Sequence, residues 1–241
     1  EEEIGAVAGI VHGCGGLGYG DGANMNALTG IARPGELGID LMHFNLHKTF
    51  ATPHGGGGPG AGPLGARADL APFLPAPIVH HVADEDRYTL ASPPSSIGRM
   101  SAFNGNFGMF VRAYTYLRGL GAEGLRRNAM HAVLNANYLR VGLRGDYPLP
   151  YDRTCMHEFV CEGRPTGSEV RALDVSKRLM DFGMHPPTNY FPLTVPEALM
   201  VEPTESETKA TLDAFVAAMR DIAREARETP ELLREAPHAT P

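Results

Sequence analysis

The sequence predicts an α/β fold, with an open sheet in the first half and a smaller α+β arrangement from about residue 120 onward. Three observations carry that prediction. Helical and extended patterns alternate along the chain. Two short apolar strands in the first fifty residues each run into polar residues, at Asp21 and at Asn45–Lys48. The second half reads helix, strand, helix, strand, helix.

Taken in order, Ile4, Val7, Ile10 and Val11 recur at helical spacing and stop at Gly13-Cys14-Gly15-Gly16. This pattern starts almost at once after Glu1-Glu2-Glu3, without a methionine, so the chain is expected to enter an α/β unit part-way and to be a fragment. Leu17 to Asp21 reads as a strand, although Gly18 and Gly20 weaken it. Ala23 to Ile31 reads as loop and turn, and Leu41 to Asn45 as a second strand. Residues 51–98 are rich in glycine and proline, with one possible strand at Pro63–Arg67; so long an irregular stretch is usually functional or mobile. Helical spacing returns with Phe107, Phe110, Val111, Tyr114 and Leu117, then with Leu125, Met130, Val133, Leu134, Tyr138 and Leu139. Met156–Cys161 and Ala198–Glu202 read as strands around a helix at Ser168–Phe182. Thr204 and Glu207 fit a capping box for a last helix buried through Leu212, Phe215, Val216, Met219 and Ile222.

Composition sets the class. A chain of 241 residues, 43% hydrophobic and 20% charged, can bury a sizeable core. A net charge of -7 argues against nucleic acid or an anionic membrane as partner, and no apolar run reaches the roughly 18 residues that span a bilayer. Cys14, Cys155 and Cys161 are too few for a disulfide framework, which points to a reducing, cytoplasmic setting. Cys155, His157 and Cys161 hint at zinc, but a fourth ligand at sensible spacing is absent, so no metal is expected.

The chemistry gathers around Lys48. Lysine occurs at three positions only (Lys48, Lys177 and Lys209) among 21 basic residues. An amine condenses with an aldehyde whereas a guanidinium does not, so a lysine kept at a strand end suggests covalent chemistry; a plain surface lysine is the bland alternative. Ligands of open α/β sheets collect beyond the carboxyl ends of strands, where Asp21 and Lys48 both fall. A lysine that forms an imine and an aspartate that pairs with a ring nitrogen are the two groups pyridoxal phosphate needs. The carboxylate favours the protonated ring nitrogen, Ala23 is small enough to lie against the ring, and His47 could donate to the phosphate. Gly60-Ala61-Gly62-Pro63-Leu64-Gly65 matches a dinucleotide fingerprint in letters only, since Pro63 interrupts it and no helix follows.

Asp21-Gly22-Ala23-Asn24-Met25-Asn26, Asn45-Leu46-His47-Lys48-Thr49-Phe50 and Thr52-Pro53-His54 followed by four glycines and Pro59-Gly60 resemble the pyridoxal-phosphate-dependent glycine decarboxylase family of the glycine cleavage system. Asn104-Gly105-Asn106-Phe107-Gly108, Met156-His157-Glu158-Phe159, His185-Pro186-Pro187-Thr188 and Glu202-Pro203-Thr204-Glu205 extend the likeness along the chain, and the tail resembles the second subunit of the two-subunit bacterial form. The resemblance implies fold type I, with residues 1–120 forming the C-terminal part of the large cofactor-binding domain and 121–241 the small domain. It implies pyridoxal 5'-phosphate as cofactor, glycine as substrate, and a lipoylated H-type carrier protein and a first subunit as partners. By position, Lys48 becomes the catalytic imine lysine, with Asp21, Ala23 and His47 as further cofactor contacts. His54 and the glycines become a mobile loop at the mouth of the lipoyl channel. Gly20 stands where the family has a bulkier residue, and the phosphate ligands are expected in an upstream half that this chain lacks. Arg99 is a candidate for holding the substrate carboxylate, beside its reading as a solvated surface arginine. Two other readings stay open: a non-catalytic or truncated subunit that completes a partner's site, and another pyridoxal phosphate amino-acid decarboxylase.

Overall fold

The computed structural model describes residues 3–56 and 60–239. The chain forms two compact units, Glu1–Glu123 and Gly124–Pro241.

The first unit opens with helix α1 (Ile4–Gly13), whose backbone stops at the glycine-rich segment as expected. Strand β1 (Tyr19–Gly22) lies parallel to β2 (Leu41–Phe44), with Asp21 opposite His43 and Gly22 opposite Phe44. Strand β3 (Leu64–Ala66) joins the other edge of β2 in antiparallel sense. The stretch that the sequence left irregular holds more order than expected. Besides β3, which falls on the strand expected at Pro63–Arg67, it carries an exposed antiparallel ribbon of β4 (Ile78–Val82) and β5 (Arg87–Ala91). Val79, Tyr88 and Leu90 stand exposed on that ribbon.

Asp40, at the start of β2, fixes the lower end of the parallel pair. Its buried carboxylate accepts from the Gly18 amide at 2.7 Å, His12 Nε2 at 2.8 Å and Arg67 Nη1 at 2.5 Å. One side chain thus ties α1, the entry to β1 and the exit of β3. The Gly18 hydrogen bond, then that from His12, then the Arg67 charge hold this carboxyl below the usual range.

Helical residues run over α2 (Phe107–Leu143), interrupted at Gly121, where φ is 63°. That position needs glycine, because other residues rarely adopt a left-handed φ. The sequence expected two helices here, and the break matches their junction.

In the second unit β6 (Phe159–Glu162) and β7 (Thr188–Asn189) flank β8 (Ala198–Val201), all antiparallel. Helices α3 (Ala172–Asp181), α4 (Lys209–Glu228) and α5 (Pro230–Arg234) pack with the end of α2 around one core. Leu143, Val175, Leu179, Leu199, Met219 and Ile222 are fully buried there. Two polar ties brace it. The Tyr147 hydroxyl donates to the Met219 carbonyl at 3.0 Å, and Arg178 forks onto both oxygens of Glu225 at 2.9 and 3.0 Å.

The α4 start differs from the expected capping box. Thr208 is the N-cap and accepts from the Thr211 amide at 3.2 Å, while Thr204 contacts Ser206 four residues upstream. Both Thr204-x-x-Glu207 and Thr208-x-x-Thr211 have capping letters; the second is used.

Candidate active site at the strand ends

Asp21 lies in the carboxyl-terminal half of β1, and Lys48 lies beyond the carboxyl end of the neighbouring parallel strand β2. Lys48 lies in the turn at 46–50, and packing on both sides fixes that turn. Leu46 and Phe50 are buried together with Ala113, against Met25, Phe44 and Tyr116. Their rings and methyls point inward, and Lys48 between them stays exposed. The Leu46 amide bonds the Ala61 carbonyl at 3.0 Å, and Asn106 Nδ2 holds the Gly60 carbonyl at 3.2 Å. Ala51 leaves the turn at φ 58°, a left-handed conformation that costs a non-glycine residue energy and fixes the exit direction.

The two strand-end turns are stitched by Thr49. Its Oγ1 accepts from the Met25 amide at 2.8 Å and donates to Asn26 Oδ1 at 3.0 Å. Asp21 and Lys48 therefore belong to one connected backbone platform. Sequence reasoning passed over Thr49; a hydroxyl next to a strand-end lysine was the available signal.

The Asp21 side chain is 75% exposed, and Oδ1 accepts from the Ala23 amide at 3.0 Å. Ala23 itself is half-buried beside it. His43, also passed over, stands opposite Asp21, with Nε2 3.3 Å from Oδ1 and Nδ1 2.6 Å from the Tyr19 hydroxyl. A histidine in an otherwise apolar four-residue strand was the signal for it.

His47 packs its ring on His54, with centroids 4.7 Å apart. Burial, then the neighbouring His54 and Lys48, push its pKa down. Its Nδ1 and the Thr52 hydroxyl oxygen are buried without a hydrogen-bond partner among the described residues. Both flank the Lys48 turn, and two orphaned polar atoms there are what a polar ligand would satisfy.

Gly20 does not loosen the packing beside Asp21. An added Cβ would lie 2.9 Å from Ile39 Cγ2 and 3.4 Å from Met42 Cγ, so these side chains already fill the space. Of the glycine loop, Gly55 and Gly56 adopt left-handed φ of 62° and 68°; Gly57, Gly58 and Pro59 lie outside the described residues. Arg99 is exposed.

In the second unit Cys161 is fully buried in β6, with burial pushing its thiol up to about 12, and Cys155 is half-buried. His157 instead faces carboxylates, with Nε2 3.9 Å from Glu158 Oε2 and 3.7 Å from Glu202 Oε1. No helix among the described residues is long and apolar enough to cross a membrane.

The chain is similar to known proteins in sequence and in fold. Residues 128–238 match the family model of the glycine dehydrogenase C-terminal domain. The chain is 58% identical over its whole length to probable glycine dehydrogenase (decarboxylating) subunit 2 of Caldanaerobacter subterraneus, covering 50% of that protein. It is 57% identical to the same subunit of Halalkalibacterium halodurans, covering 49% of it. The chain thus spans about half the length of the curated relatives it matches. Among solved structures, glycine decarboxylase (P-protein) of the glycine cleavage system, in inhibitor-bound form, superposes with a TM-score of 0.74 at 22% identity, over 91% of this chain and 51% of that one. A cysteine desulfurase from Thermococcus onnurineus gives 0.68 at 17% identity, over 92% and 56%. The fold is that of the fold type I pyridoxal-phosphate-dependent enzymes, and the chain is similar along its whole length to about half of glycine dehydrogenase (decarboxylating) subunit 2.

Proposed function

We propose that this chain carries the lysine-bearing part of a glycine decarboxylase site. In that reaction glycine loses its carboxyl group as carbon dioxide, and its aminomethyl group passes to one sulfur of a carrier protein's lipoyl disulfide. The S–S bond breaks and the second sulfur takes a proton. The single observation that carries the reading is the placement of Asp21 and Lys48 on adjoining parallel strand ends, tied through Thr49.

The residues present fit pyridoxal 5'-phosphate. Lys48 would hold it through the ε-amine, Asp21 would meet the ring nitrogen, Ala23 would lie against the ring, and His47 would stand on the phosphate side. When bound, the cofactor supplies an electron sink for the pair left behind by carbon dioxide. Everything else is the work of this chain's side chains. The Lys48 amine is exposed and unencumbered, so it can leave the bound group and move a proton near the reacting carbon. Asp21 supplies the negative charge that keeps a ring proton in place. His47, whose pKa is pushed down by burial, can offer a ring N–H to an anion. Residues 1–120 would be the C-terminal part of the large domain, 121–241 the small domain, and a first subunit and a lipoylated H-type carrier the partners, all in the cytoplasm.

The test is to incubate the chain with pyridoxal phosphate, reduce with borohydride and map the modified peptide by mass spectrometry. Label confined to Lys48, absent from Lys177 and Lys209, is the expected result. In the assembled enzyme, Lys48→Arg should abolish release of carbon dioxide from carboxyl-labelled glycine. Scattered label together with full activity of Lys48→Arg would refute the assignment.

A further inference from the structure

Asp21 is an exposed side chain at a strand end, and such a group ordinarily samples several rotamers. Here two neighbours restrain it. The parallel register sets His43 directly opposite Asp21 on the same face, with Tyr19 two residues before Asp21 and therefore also on that face. The three side chains form a row: Tyr19 hydroxyl to His43 Nδ1 at 2.6 Å, then His43 Nε2 to Asp21 Oδ1 at 3.3 Å. The Tyr19 and His43 rings also stack, with centroids 5.8 Å apart and planes 23° from parallel, which limits rotation of the imidazole.

The chemistry gives the row a direction. A carboxylate only accepts, so the His43 nitrogen facing it carries the hydrogen. Nδ1 is then the acceptor, and the Tyr19 O–H donates to it. Both recorded contacts of the Asp21 carboxylate, from His43 and from the Ala23 amide, fall on Oδ1. Oδ2 is the oxygen left to meet an incoming donor.

We propose that Tyr19 and His43 are positioning residues: Tyr19, together with the Asp21 carboxylate, holds His43 in one tautomer, and His43 restrains Asp21 Oδ1 so that Oδ2 is presented to a protonated ring nitrogen. This inference rests on the reading of Asp21 given under Proposed function. The row spares Asp21 the ordering cost that binding would otherwise incur.

Two arms separate this inference from that reading. In the cofactor-free full chain, nitrogen NMR of the histidine side chains should show His43 protonated at Nε2 and bare at Nδ1. Tyr19→Phe should turn that single pattern into a mixture. In the second arm, pyridoxal phosphate carrying a nitrogen-15 ring label is titrated into the chain. His43→Phe should weaken binding about tenfold and Tyr19→Phe about threefold, the scale of losing one restraining polar contact to a charged group. The ring-nitrogen signal should move toward the neutral pyridine position in His43→Phe. His43→Gln, which can place a donor where Nε2 stood, should restore most of both effects. A His43→Phe chain that binds as tightly as wild type with an unmoved ring-nitrogen signal overturns the positioning role. Wild-type chain that takes up cofactor at Lys177 or Lys209 and not at Lys48 overturns the reading of the site, and the tautomer arm alone then decides whether the Tyr19–His43 row exists.

Discussion

Replacing Gly22 by alanine would probe how closely the two site-bearing strands must approach. Gly22 is the last residue of β1, buried, and paired with Phe44 across the sheet. An added Cβ would lie 2.4 Å from Met42 Cε and 2.5 Å from the His43 carbonyl oxygen. The methionine methyl is the end of a flexible chain and can swing away. The carbonyl is β2 backbone and cannot. It lies nearly 1 Å inside ordinary contact, so relief requires the strand ends to part, and Asp21 moves with them. Overpacking of this kind costs about 1–3 kcal/mol. Gly65→Ala on β3 is the matched control, since its Cβ would meet only the Met42 carbonyl at 3.8 Å. Urea denaturation followed by circular dichroism should show Gly22→Ala lowering the midpoint and Gly65→Ala leaving it in place or raising it. Borohydride labelling at Lys48 should fall with the first and persist with the second. A Gly22→Ala chain as stable and as readily labelled as wild type would refute the claim that strand approach sets the site.

Other expectations follow from the same contacts. The Asp40 carboxyl titrates below its ordinary value of 3.8 in the folded chain, so the stability it contributes is present above that value and lost as pH falls below it. Asp40→Asn should therefore be less stable than wild type at pH 7 and show a flatter acid limb in denaturation at stepped pH. Cys14 is exposed while Cys161 is fully buried with its thiol pushed up to about 12, so iodoacetamide should modify Cys14 in the native chain and reach Cys161 only after unfolding. Leu199→Ala empties a fully buried position in β8 and should cost about 2–5 kcal/mol, measurable as a lowered denaturation midpoint of the second unit.

The neighbouring placement of Asp21 and Lys48 was legible because two polar clusters interrupt apolar runs at Asp21 and Asn45–Lys48, and a parallel pair has one carboxyl end. The main helices were legible from spacing: the stripe from Leu212 to Ile222 is the buried face of α4. What escaped was local order without a hydrophobic signature. The β4–β5 ribbon is exposed along most of its length, so Ile78–Val82 and Arg87–Ala91 show no alternation for a core face to impose. Helix α5 is a five-residue turn, too short for periodicity, and β7 has two residues. The α4 cap was misplaced because Thr204, Ser206, Glu207 and Thr208 offer several capping letters in succession, and local hydrogen bonding chooses among them. The Tyr19–His43–Asp21 row depends on register between strands that are far apart in sequence, which no single segment reveals.

The clamps at both ends of the β1–β2 pair have a bearing on how this part of the chain can vary. Asp40 holds the lower end through Gly18, and Thr49 holds the upper end through Met25 and Asn26. The segment from Ile31 to Glu36 between those clamps is mostly exposed and carries no part of either. Residues added or removed there should be absorbed as a longer or shorter surface excursion, since loop closure costs rise only slowly with length. Related chains can thus differ in length at this point without shifting the aspartate relative to the lysine, and an inserted tag or reporter would be best placed there.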